Sequence, residues 1–261
     1  MAENPYAAPR THVEDVPIAL PDGDFIPEGR RVPAGRGWGW IAGAWGFMGD
    51  QRWTFVGVFL LLAILYIGAS FLPILGPLAT SLFGPVLLGG FVLGCDALRQ
   101  GQRFEVGHLF AGFQRHAGKL VALGAISLAF GIVAALIMIL VVGTSVLPML
   151  AGGEPTPEQM ASMLLPMLLA VLVIMAVSLP LSMAFLFAIP LIVLRDSDVV
   201  PALKTSFFAC LKNILPFLVW SLAMFGLYLL SILTLFLALL LLFPVAMVSL
   251  YLSYRDVFHD V

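Results

Sequence analysis

Six charged residues stand as three mixed acidic–basic pairs: Asp96 with Arg99, Arg195 with Asp196, and Arg255 with Asp256. Each pair closes a long apolar stretch. Charges so placed can latch helix ends together or hold a charged headgroup. Catalysis asks for more, namely a nucleophile or an acid–base pair held in a site that excludes water. His108 and His116 are eight apart, on one face of a helix. No carboxylate or cysteine stands beside them at metal-ligand spacing, so no metal is expected. His12 and His259 lie near the two ends of the chain. Cys95 and Cys210 read as small buried thiols in a reducing compartment. Glu154 and Glu158 are four apart, but Pro155 and Pro157 deny them an assured shared helical face, and they read as a solvated loop. There is no GxSxG, HExxH or Walker loop. The expectation is a protein that is not an enzyme and has no cofactor.

The elements that carry these groups follow from composition. Of 261 residues 61% are hydrophobic and 11% charged, with a mean hydropathy of +1.05. No soluble core absorbs so much apolar sequence, and a net charge of −2 argues against nucleic acid as a partner. A bilayer core of about 30 Å takes roughly 20 apolar helical residues to cross. Six such spans are expected, at about 53–74, 78–98, 120–147, 164–194, 214–234 and 238–256. Residues 1–36 have no apolar run and are expected to form a disordered cytoplasmic tail, with 37–261 as the membrane domain. The fourth span is long and carries Pro166, Pro180 and Pro190, which predicts a kink. The turn between the last two spans falls near Leu233–Leu239, with no Gly or Asn to mark it.

All 13 Lys and Arg residues fall before span one, between spans two and three, between spans four and five, or at the end of span six. Six spans therefore place every basic residue on one side, and the positive-inside rule puts both termini in the cytoplasm. Before each odd-numbered span lies a stretch with helical periodicity: Trp38, Ile41, Trp45 and Met48; then Val106, Leu109, Phe110 and Phe113; then Leu203, Phe207, Cys210, Leu211 and Ile214. Basic residues face the opposite way in the second and third. Such segments suit the headgroup level, with rings in the interface and cations in water. The candidate interfacial or partner surface is Trp38, Trp40, Trp45, Phe110, Phe113, Phe207 and Phe208. The expected fold is all-α: three helical hairpins, each preceded by a short amphipathic helix. Duplication of one unit accounts for this pattern, and so does the general basic and aromatic character of cytoplasmic loops.

The span interiors contain no Asp, Glu, Lys, Arg, His, Asn or Gln. Their Ser and Thr hydroxyls are expected to return to the backbone. Even spans carry Pro85, Pro180 with Pro190, and Pro244, and the second carries Gly84, Gly89, Gly90 and Gly94. Close helix packing and a lined cavity both account for them.

Residues 37–45 (GWGWIAGAW), Gly107–Phe113 (GHLFAGF), Phe207–Asn213 (FFACLKN) and the closing YLSYRDVF resemble an uncharacterised family of six-helix proteobacterial inner-membrane proteins. More loosely, the chain is similar to YciC-like proteins and to the membrane domain attached to some glycerophosphodiester phosphodiesterases. The NPYAAP start resembles the tails of small bacterial inner-membrane proteins. The resemblance covers about residues 36–258. It implies location and architecture, and it carries over no catalytic residue.

Together these readings predict a non-catalytic integral protein of the bacterial inner membrane. It would be a scaffold or accessory subunit binding a protein partner or lipid through its cytoplasmic amphipathic helices. The partners expected are membrane lipids and a membrane-protein partner or a second copy of the chain. The alternative is a permease or lipid-handling protein with an apolar cavity between proline-bearing helices.

Overall fold

The computed structural model describes residues 23–150 and 157–260. The expectations for residues 1–22, His12 among them, and for Glu154 lie outside the described residues. Helices run as α1 (Arg36–Met48), α2 (Arg52–Ser70), α3 (Leu75–Arg99), α4 (Ala111–Gln114), α5 (Ala117–Leu150), α6 (Pro157–Leu186), α7 (Ala188–Arg195), α8 (Val199–Lys212), α9 (Ile214–Leu230) and α10 (Leu239–Phe258). Two short strands, β1 (Asp24–Phe25) and β2 (His259–Asp260), pair antiparallel with Phe25 opposite His259. Six helical stretches among the described residues are long and apolar enough to cross a membrane. The chain is an all-α polytopic membrane protein.

The helices begin and end for local reasons. α6 starts at Pro157, earlier than the expected 164, because proline suits the first helical position, where no amide partner is needed. α6 and α7 part at Phe187, three residues before Pro190. Proline lacks an N–H and its ring crowds the preceding turn, so the ladder breaks there. Pro166 and Pro180 remain inside α6, and the helix is interrupted only near the last of the three prolines. α9 and α10 are joined through a 3₁₀ turn at Ser231–Thr234. Leu235 and Phe236 then take left-handed backbone, φ 49° and 65°, which costs about 1–2 kcal/mol per non-glycine residue.

Packing is concentrated at one end of the bundle. α3 packs on α2, α5, α7 and the Val106–Phe110 turn, while α1 lies on α9 and α10. Two apolar clusters fill this end, one around Trp40, Leu120, Phe187, Tyr254 and Phe258, the other around Phe55, Phe91, Phe104, Leu109 and Tyr251. The close approach of α3 needs its glycines. A Cβ at Gly90 would strike the Leu109 carbonyl, and one at Gly94 would strike the Phe104 ring. The α3 glycines thus serve packing. Elsewhere the helices are largely exposed: only 6% of the apolar window of α5 is buried in protein, and the same share of that of α6 and α7. Hydroxyls within the spans return to the backbone, as with Thr80 to Gly76 O at 2.9 Å and Ser178 to Ile174 O at 2.6 Å.

One boundary differs from expectation. The expected disordered tail ends at residue 36, yet the chain lies on the bundle from Asp24 onward. Ile26 and Arg30 donate their amides to Phe258 O and Val257 O, both at 2.8 Å. The buried Asn213 side chain accepts from Val32 N at 2.8 Å and donates to Arg30 O at 2.9 Å. An extended segment stays put when its backbone groups find partners and its apolar side chains find cover. Val32 and Phe25 supply the second condition, Phe25 stacking on Phe258. Pairing of β1 with β2 also brings the two ends of the described chain to the same side of the bundle.

Candidate functional site

The three charged pairs do not form one latch. Asp256 stands at the end of α10 on a cavity that is also lined by Arg99, the ion-pair partner of Asp96 at the end of α3, and Asp196 stands apart. Asp96 accepts from Arg99 Nε at 3.0 Å, from Gln100 at 2.6 Å and from the Tyr251 hydroxyl at 3.0 Å. The last bond ties α3 to α10. Asp256, 6% exposed, accepts from Arg36 Nε at 2.6 Å, from the Trp40 indole at 2.8 Å and from Arg30 at 3.1 Å. Its partners come from the N-terminal segment and α1. Buried carboxylates persist only when so supplied with donors.

Asp196 instead joins α7 to α5. It accepts from Lys119 Nζ at 2.8 Å and lies 3.1 Å from His116 Nδ1. The Lys119 hydrogen bond, reinforced by the Lys119 and His116 charges, holds its carboxyl below the usual carboxylate range. Arg195 turns the other way. It meets His259 Nε2 at 2.7 Å and lies 4.2 Å over the Phe25 ring. This cation–π contact fastens the paired termini.

A half-open cavity of about 300 Å³ lies between α1, the last turn of α10 and the end of α3. Arg36, Arg99, Arg255 and Asp256 line it with Trp40, Phe47 and Tyr251. Gly39 and Gly43, one turn apart, lie on its α1 wall beside Arg36, Trp40 and Phe47. A Cβ on Gly43 would meet the Leu252 side chain at 3.3 Å, but one on Gly39 would meet no atom within 4 Å, so the bare Gly39 leaves that part of the space open. Glycine inside a helix costs about 0.5–1 kcal/mol relative to alanine, so two of them on one face ask for a local reason.

The rings of the expected aromatic surface differ in exposure. Trp38, Trp45, Phe110, Phe113 and Phe208 are exposed. Phe207 is half-buried against Phe208. Trp40 is a correction: at 2% exposure it belongs to the core, because its indole N–H serves Asp256. The second amphipathic segment is a 3₁₀ turn, Val106–Phe110, followed by the single-turn α4. His108 and His116 therefore share no helix face. His108 caps that turn, its Nδ1 accepting the Glu105 amide at 3.0 Å. His116 sits at φ 58° between α4 and α5. Among the described residues no three His, Cys, Asp or Glu side chains converge as a metal site. Cys95 and Cys210 are buried free thiols, and burial pushes the Cys210 thiol up to about 12.

Several positioning residues escaped sequence reasoning. Arg30 and Arg36 were assigned to a tail. Asn213 was passed over although it is the lone amide between two apolar stretches. Ser206 was passed over too. Its hydroxyl accepts from Phe187 N at 2.9 Å and donates to Met183 O at 2.7 Å, spanning the α6/α7 break. The available signals were Pro190, which announces broken backbone bonds, and the small-residue spacing of Gly39 and Gly43.

A second, apolar groove of about 400 Å³ opens between α6 and α9, with Leu179, Met183, Leu186, Phe217 and Leu218 on its walls and Cys210 and Leu250 at its base. No family model, curated protein or solved structure matches the chain.

Proposed function

We propose that this protein is a non-catalytic accessory protein of the bacterial inner membrane whose charged end lies on the cytoplasmic leaflet and engages anionic lipid. The observation carrying this reading is the exposure of Trp38, Trp45, Phe110, Phe113 and Phe208 on the segments that surround the ion-paired end. Rings of this kind favour the headgroup level, and neighbouring cations favour anionic lipid. Span interiors devoid of ionisable groups further support a role outside catalysis and ion coupling. The cytoplasmic side follows from the placement of the basic residues, and the family resemblance points to the same membrane.

The test uses variants retaining Trp38 or Trp45 as the only tryptophan, reconstituted with phospholipids brominated near the glycerol end of the acyl chain. Strong quenching of both is the expected result. Unquenched emission from both would sink the lipid reading in favour of a surface for a protein partner.

The α6–α9 groove favours a second reading, a lipid-handling protein that holds an acyl chain beside Pro180. Met183→Trp should fill the groove and abolish crosslinking by a photoreactive acyl chain. Unchanged crosslinking would remove this alternative.

A further inference from the structure

We propose that the cavity walled by Arg36, Arg99 and Arg255 binds a phosphate group, carried by a phospholipid headgroup or free in solution. The lipid source rests on the leaflet reading above.

The lining holds three guanidiniums and one carboxylate, Asp256. That carboxylate is engaged by Arg30, Arg36 and Trp40, and Arg99 reaches Asp96 outside the lining through Nε at 3.0 Å, so within the lining the guanidiniums outnumber the carboxylate. Arg99 and Arg255 are each only 8% exposed, and both border the open space. Guanidiniums are planar, always charged and matched to phosphate oxygens, which makes them the usual groups for this ligand. The space of about 300 Å³ stays open before Gly39, where a Cβ would meet no atom within 4 Å. Phe47 and Tyr251 add apolar wall on which the carbon portion of a headgroup can rest.

The rival account is that Arg99 and Arg255, in the last turns of α3 and α10, merely offset the partial negative charge of two helix ends. It explains the arginines but not the open space kept before them by glycine.

The experiment titrates the full chain in detergent with phosphatidylglycerol, phosphatidylcholine and inorganic phosphate, read by native mass spectrometry. The wild-type protein should retain one phosphatidylglycerol about tenfold more tightly than phosphatidylcholine, whose phosphate carries a choline cation that the arginines repel. Arg36→Gln and Gly39→Leu should each lose about that factor. Gly39→Leu leaves every charge in place and fills only open space, and an unchanged unfolding midpoint confirms that its fold is intact. Displacement of the lipid by millimolar inorganic phosphate identifies the free ion as ligand; retention identifies the headgroup. Wild-type affinity in both variants would overturn the proposal in favour of helix-end neutralisation. Absence of binding by either ligand would overturn it as well, while the leaflet reading is judged separately by tryptophan quenching.

Discussion

The indole nitrogen of Trp40 lies 2.8 Å from a carboxylate oxygen of Asp256, joining residues 216 positions apart. This contact seats α1 against the end of α10, with Arg30 and Arg36 completing the shell around the carboxylate. Removing the carboxylate strands three donors at once. Loss of one partner from a buried pair costs roughly 3–5 kcal/mol. Arg30 and Arg36 reach water, so Asp256→Asn is expected to cost about 2 kcal/mol. Trp40→Phe removes one hydrogen bond and should cost about 1 kcal/mol. The unfolding midpoint in detergent ranks them, and a larger effect for Trp40→Phe would contradict the assigned roles.

Ser206 repairs the helix break that Pro190 imposes. Ser206→Ala leaves the buried Phe187 amide without its partner, a loss of about 1–3 kcal/mol. Amide exchange at Phe187 should rise in this variant while exchange in α9 stays unchanged.

Asn213 holds the N-terminal segment through both ends of its amide. Asn213→Ala should free residues 24–35 while leaving the spans folded. Limited proteolysis is expected to cut the variant near Arg30 and Arg31, where the wild-type chain is protected. Equal cleavage in both proteins would show that Asn213 does not anchor it.

The Asp196 carboxyl, with its pKa lowered from an ordinary value of 3.8 by Lys119, favours the folded state when ionised. That contribution is present above the ordinary carboxylate pKa and is lost as the pH falls through the lower, folded value. The side-chain carbon resonance of Asp196 should titrate below 3.8 in the wild-type protein and move up toward it in Lys119→Met. An unmoved midpoint would remove Lys119 as the cause.

Cysteines placed at Ile74 and Leu235, in turns after α2 and α9, should react with an impermeant maleimide from the side opposite to cysteines at Arg103 and Lys204. The native thiols Cys95 and Cys210 are buried and should stay silent. Labelling of all four positions from one side would overturn the six-span topology.

The spans, their number and the helices before the first and fifth of them, α1 and α8, were legible because each depends on its own residues. A run of some 20 apolar residues crosses wherever it stands in the chain, and the helices found follow that rule closely. The candidate site was legible only in fragments. Asp96, Arg99, Arg255 and Asp256 are visible as pairs at helix ends, but the partners of Asp256 lie elsewhere: Arg30 and Arg36 in the expected tail, and Trp40 on the expected interfacial or partner surface. Trp40 stands outside the periodic set of Trp38, Ile41, Trp45 and Met48 and joins the expected surface only as their aromatic neighbour, and residue type does not reveal which aromatic on such a helix meets a buried carboxylate.

Hydropathy and charge placement thus established a six-helix membrane body with its basic residues at one end, since transfer from water to lipid is a property of each segment alone. The three-dimensional packing decided which charges meet: Asp256 with the N-terminal arginines, Asp196 with Lys119, and Arg195 with His259. It also decided that a cavity stands open before three of the arginines. Such pairings join residues far apart in the chain, and their energies depend on distance, burial and neighbouring donors, which local sequence does not contain.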